Sequence, residues 1–291
     1  MPGTRRFRLK FPLMLVGVFV LFGVAEGLTA ARADDPTWAV SAGFTTAILA
    51  VVGYALLSRW IERRDRVPEV SWSNAFRWLI PGIVLGGAAF GTVMLTIRLL
   101  GGWGTQTRGD LEGLAITAGI MACVAVSEEL LFRGVLTRML AERFNGWVAL
   151  IVSSLLFGAM HLANANVTAL AALSIVCTGG LLFGVLYLAT RSLWLTIGFH
   201  FAWNTMQAGV FGTASSGEES THSLYRTTLD GAEWLTGGAF GPEASAVTVA
   251  VITVPALVVL VIAAAKGRLR RITNDAPQPS GQAGREERQY V

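Results

Sequence analysis

Apolar residues in this chain come in blocks of about twenty, separated by short clusters of Arg, Gly, Asp and Asn, and no alternation of period two competes with them. Such a block is what a helix needs to cross a bilayer, where only a helix or a closed barrel satisfies its own backbone. Eight windows result, at approximately 9–31, 37–58, 76–100, 112–140, 146–163, 168–190, 193–212 and 245–265. The pattern predicts an all-α, polytopic membrane helix bundle of about eight transmembrane helices. It forms one domain over 1–273, with 274–291 (NDAPQPSGQAGREERQYV) as a disordered cytoplasmic tail.

Composition strengthens that reading. Hydrophobic residues make up 53% of the chain and charged residues only 14%, against about 25% charged in a soluble domain. An ordinary soluble globule, a disordered chain and a nucleic-acid binder are excluded together, and membrane lipid is the first partner. The net charge of +4 then reads as topology. Arg5, Arg6, Arg8 and Lys10, Arg59, Arg63, Arg64, Arg66 and Arg77, Arg138, Arg143 and Arg191, and Lys266, Arg268, Arg270 and Arg271 fall on one side. Arg32, Arg108 and Arg226 fall on the other, where 213–243 is acidic and Gly-rich. Because Lys and Arg stay on the cytoplasmic side, both termini are expected there. A second layout is open at the start: a basic segment, an apolar run and Ala31-Arg32-Ala33 resemble a cleaved secretory signal, although the run is near full span length and carries Glu26. Cys123 and Cys177 have neither metal nor redox spacing.

An ionisable side chain at mid-bilayer costs about 2.5–3.5 kcal/mol, which makes each one a functional candidate. The candidates fall in three places: Ser127-Glu128-Glu129-Leu-Leu-Phe-Arg133, Phe157-Gly-Ala-Met-His161 and His200-Phe-Ala-Trp-Asn204. Glu129 and Arg133 are four apart, so they share a helical face and can pair. Glu128 is rotated about 100° from Glu129, toward a different neighbour, and is free for chemistry. His200 and Asn204, again four apart, reach one point from one helix. His161 by itself reads equally as a hydrogen-bonding helix-end residue, and the Glu-Glu pair as a charge cluster reaching to headgroups. Two of the chain's three histidines lie in apolar helices beside a buried Glu-Glu, and that joint pattern favours a water-holding catalytic cavity. His222, in the polar outer loop, is assigned no role.

These residues resemble the CAAX-protease and bacteriocin-processing family of intramembrane endopeptidases (CPBP, also called Abi). Its EExxxR, FxxxH and HxxxN motifs appear in order as Glu128-Glu129-LLF-Arg133, Phe157-GAM-His161 and His200-FAW-Asn204, within a core of about 112–212. The resemblance implies an eight-helix fold, a CAAX prenyl protease-like activity on a membrane-associated protein or peptide, and a bacterial plasma-membrane location. On that footing, Glu128 with His161 would activate a water, and His200 with Asn204 would donate to the oxyanion. Glu129, Arg133 and Phe157 would support them. No cofactor is expected, since no HExxH occurs. The alternative is a zinc ion on Glu128, His161 and His200. Two competing functions share the residues: a proton- or ion-coupled transporter, disfavoured by the absence of a repeat between the two halves, and a non-catalytic immunity factor that binds peptide in the same cavity.

Overall fold

The computed structural model describes residues 2–270, with side chains from residue 7 onward. The polar tail 274–291 lies outside the described residues. Among the described residues, seven helices are long and apolar enough to cross a membrane. In chain order they are α1 (Pro2–Ala30), α2 (Pro36–Glu62), α3 (Ala75–Leu99), α4 (Leu111–Arg143), α5 (Gly146–Ala163), α6 (Ala169–Thr190) and, last, α8 (Ala246–Ala265), with α7 (residues 193–211) between the last two. The eighth expected span, α7, is a continuous helix too, but His200, Asn204 and Gln207 lower its apolar character below that of a candidate span. Its position explains the tolerance: Leu193–Phe199 are all buried, so α7 packs against protein and needs no lipid-facing surface.

The polar residue preceding each apolar window sets where the helix begins. Side chains of Asp35, Asp110, Asn145, Thr168 and Ser245 accept hydrogen bonds from the backbone N–H three residues on, which satisfies a first-turn donor that lipid cannot. Burial separates centre from rim: 61% of the apolar window of α4 is buried against 17% of that of α1. The helices α1, α2, α3 and α8 turn Leu13, Leu49, Val84 and Val261 outward, as a lipid-facing surface requires. Close approach depends on glycine at two crossings. Gly43 of α2 meets Gly119 of α4 backbone to backbone, and Gly82 and Gly86 of α3 meet α7 around Leu195–Phe199, where any Cβ would strike main chain.

One feature departs from the all-helical expectation. Trp103–Arg108 (β1) and Tyr225–Leu229 (β2) pair antiparallel at the end of the bundle away from the arginine clusters. Each strand has at most six residues and lies mostly in the open, so neither had a buried face to write alternation into the sequence.

At the arginine-rich end, residues read from the sequence as topological charges are instead paired and buried. Arg138 bonds Glu62 at 2.5 and 2.9 Å and Glu142 at 3.0 Å, while Arg64 makes a bidentate pair with Glu69 at 2.6 and 2.8 Å. The fully buried Tyr54 hydroxyl lies 2.7 Å from Glu69 Oε1 and 2.9 Å from the Gly134 carbonyl, tying this network to α4. Burial alone would raise the Glu69 carboxyl, but the Arg64 hydrogen bonds and the Arg138 charge hold it below its usual value. The unfolded chain therefore binds that proton more tightly. The stabilisation is complete above pH 4.5, the ordinary value, and is lost as pH falls through the depressed folded value. Glu69→Gln is expected to cost about 3 kcal/mol at neutral pH and to flatten the acid side of a melting-temperature profile measured in detergent.

Candidate active site

Two of the three motif helices, α4 and α7, meet at a single imidazole. His200 Nδ1 lies 3.1 Å from Glu129 Oε1, and its Nε2 lies 3.9 Å from Glu128 Oε2. Neighbouring residues on a helix diverge by about 100°, and the expectation was that Glu128 and Glu129 would face different partners. They face the same one from opposite ring edges, because α7 passes the point where the two carboxylates splay apart. A carboxylate accepts, so Nδ1 of His200 carries a proton toward Glu129. A second proton on Nε2 would face Glu128.

Glu129 also receives Arg133 Nη1 at 2.9 Å, as the spacing of four required, with both side chains at most 1% exposed. Arg133 Nη2 donates to the carbonyl of Gly179 at 2.8 Å, and the guanidinium lies 4.4 Å from the centroid of the Phe157 ring and 5.1 Å from that of Phe183. That carbonyl is available because the α-helical ladder is interrupted there. Leu130–Thr137 in α4, Val176–Gly180 in α6 and Thr205–Phe211 in α7 wind as wider π-helical turns. Each of these stretches borders a site residue, a frequent location for such turns. Phe183 stacks on His200 at 4.9 Å between centroids and Phe157 lies 4.9 Å from His161, so aromatic faces fix both imidazoles.

His161 ends the α-helical part of α5, and its Nδ1 donates to the Phe157 carbonyl at 2.8 Å. A carbonyl can only accept, which places the proton on Nδ1 and leaves Nε2 with a lone pair. Glu128, His161, His200 and Asn204 all line one cavity of about 260 Å³, with Ser215, Ser216 and residues 218–222 along its rim. Glu128 and the Asn204 carboxamide have no hydrogen-bond partner among the described residues. Counted along their helices, His161 and His200 stand at different heights. They share the cavity because α7 begins inside the bundle, with Leu193 fully buried and Trp194 Nε1 donating to the Ser71 carbonyl.

A second hollow of about 40 Å³ adjoins the first through His161, His200, Asn204 and Ser216, and Glu243 completes it. Sequence reasoning placed Glu243 among loop acids. Its position just before the last span, after Gly241 and Pro242, was the one available signal. Glu243 is 5% exposed and accepts from Ser216 N at 2.5 Å, Ser216 Oγ at 3.0 Å and Gln207 Nε2 at 3.0 Å. Burial pushes its carboxyl up, while the facing His161 imidazole and these hydrogen bonds hold it back. Asn164 and Asn166 donate to the carbonyls of Ser216 and Gly217 at 2.9 and 3.0 Å, which secures the same loop over the site.

Both imidazoles leave Nε2 free with Nδ1 engaged, as zinc ligation would need. Among the described residues, however, no three His, Cys, Asp or Glu side chains converge into a set able to hold a metal ion. Glu128, His161 and His200 therefore do not fit zinc as they stand.

Comparison with known proteins adds one finding. The family model described as type II CAAX prenyl endopeptidase Rce1-like matches residues 110–206, which hold all three motifs. No curated protein and no solved structure matches the chain. Residues 110–206, about a third of the chain, are thus similar to the type II CAAX prenyl endopeptidase Rce1-like family, and they sit within an all-helical polytopic bundle.

Proposed function

We propose that this chain hydrolyses a peptide bond of a membrane-associated protein or peptide with a water activated by Glu128 and His161. The observation that carries the reading is the Glu128 carboxylate, which accepts no hydrogen bond among the described residues and opens onto a 260 Å³ cavity shared with His161, His200 and Asn204. Glu128 takes a proton from the water while the lone pair of His161 Nε2 accepts the water's other hydrogen, which aims its oxygen at the scissile carbonyl. As the tetrahedral intermediate forms, His200, with one proton on Nδ1 toward Glu129 and a second on Nε2, donates Nε2–H to the oxyanion beside the Asn204 amide, and Glu128 returns its proton to the leaving amine. Glu129 keeps His200 oriented through Nδ1, and Arg133 keeps Glu129 in place.

The test is purified full-length protein, reconstituted in vesicles with a panel of tagged membrane peptides and read by mass spectrometry. Expected are a discrete cleavage product from wild type and its loss in His161→Ala. Absence of any product across the panel, with Glu128-dependent ion flux in the same vesicles, would replace hydrolysis by transport. A zinc chelator is expected to leave the wild-type rate unchanged. A fall restored by added zinc would instead assign Glu128, His161 and His200 to a metal.

A further inference from the structure

The helix ends of this bundle are unequal in charge. At one end stand Arg59, Arg63, Arg66, Arg143, Arg191 and Lys266 together with the paired Arg64 and Arg138; at the other, Arg32, Arg98, Arg108 and Arg226 are spread over four separate segments. An excess of Lys and Arg in short loops fixes an end on the cytoplasmic side. The cavity belongs to the opposite end. Thr117, Ile120 and Met121 line it from the first turns of α4 and Asn164 from the close of α5, with residues 215–222 from the loop that follows α7. Toward the arginine-rich end the way is filled: Leu130, Arg133, Tyr54, Glu69, Arg138 and Tyr187 are all buried beneath the site. The separate hollow at that end, between α2 and the start of α3, includes none of the motif residues.

From these two asymmetries we propose that the hydrolytic cavity opens to the extracytoplasmic face, and that its substrate is a peptide segment of an exported or secreted chain presented from that side. This rests on the hydrolytic reading above and adds to it the side and class of substrate. A lipid-modified tail on the cytoplasmic surface would meet the packed, ion-paired end of the bundle and find no passage to Glu128.

The test uses the full chain expressed in bacteria and carried in sealed membrane vesicles of both orientations. Arg226→Cys on β2 and Asp65→Cys in the loop after α2, both exposed, are each treated with a membrane-impermeant maleimide, with wild type as the baseline for Cys123 and Cys177. Cys labelling at 226 is expected in right-side-out vesicles only and at 65 in inside-out vesicles only. A peptide made impermeant by a charged tag is expected to be cut by right-side-out vesicles, and by inside-out vesicles only after permeabilisation. Labelling with the opposite pattern, or on both faces, overturns the orientation. Cleavage confined to sealed inside-out vesicles overturns the substrate side. Labelling as expected, with no cleavage even after permeabilisation, removes the hydrolytic reading and the substrate with it, and leaves the orientation standing.

Discussion

Glu128→Gln is expected to lower the cleavage rate by about 10²–10⁴-fold while leaving the melting temperature of the protein within a degree or so of wild type, a surface-like response. The two halves of this expectation have separate causes. Glutamine occupies the same space but cannot accept a proton from water, so the base is lost. Stability is spared because Glu128 makes no hydrogen bond among the described residues and its nearest charged partner, His200 Nε2, is 3.9 Å away. Nothing in the fold is left unpaired by the change. His200→Ala and Asn204→Ala remove oxyanion donors and should each cost about 10²–10³ in rate, but His200→Ala also strips Glu129 of a partner and should lower the melting temperature. Rate assays beside thermal melts therefore give a distinct signature at each position. A Glu128→Gln protein that still cleaves at the wild-type rate would remove Glu128 as the base and return the cavity to a binding role.

The sequence carried the membrane helices and the motif residues well because both depend on local rules. A span is a run of apolar residues about twenty long, and an i, i+4 spacing puts Glu129 with Arg133 on one face whatever surrounds them. What depended on other parts of the chain was less legible. The convergence of both carboxylates on His200 is set by where α7 crosses α4, which Gly82, Gly86 and Gly198 permit by close contact with α3. The π-helical turns beside Glu129, Gly180 and Asn204 leave no apolar periodicity to read, although the Gly179-Gly180 pair marks one of them. Glu243 was hidden for a different reason. An acid in a polar loop looks solvated until the loop is known to fold back, and here Asn164 and Asn166 fold it back from the segment just after His161. Likewise, the length of α7 was legible, but its enclosure by other helices, with Leu193–Phe199 all buried, was not.

The largest stability effect is expected at Arg133. Its guanidinium is 1% exposed and reaches Glu129, the Gly179 carbonyl and the faces of Phe157 and Phe183 from one place. Arg133→Met leaves the fully buried Glu129 carboxylate without its cation, and breaking such a pair typically costs about 3–5 kcal/mol, enough to exhaust much of a membrane domain's margin and reduce recovery of folded protein. The double variant Glu129→Leu/Arg133→Met separates charge from packing. Two apolar side chains of similar volume remove both ions together, which is often neutral for stability, so the melting temperature should return most of the way to wild type. Activity should not return with it. His200 Nδ1–H would then have no acceptor, its ring would be free to tilt, and the Nε2–H needed by the oxyanion would no longer be fixed beside Glu128 and Asn204. A stable, inactive double variant would show that the ion pair is held in the bundle for the imidazole it orients. A stable and fully active one would show that His200 is positioned by Phe183 alone, with the Glu129–Arg133 pair serving only the packing of α4 against α6.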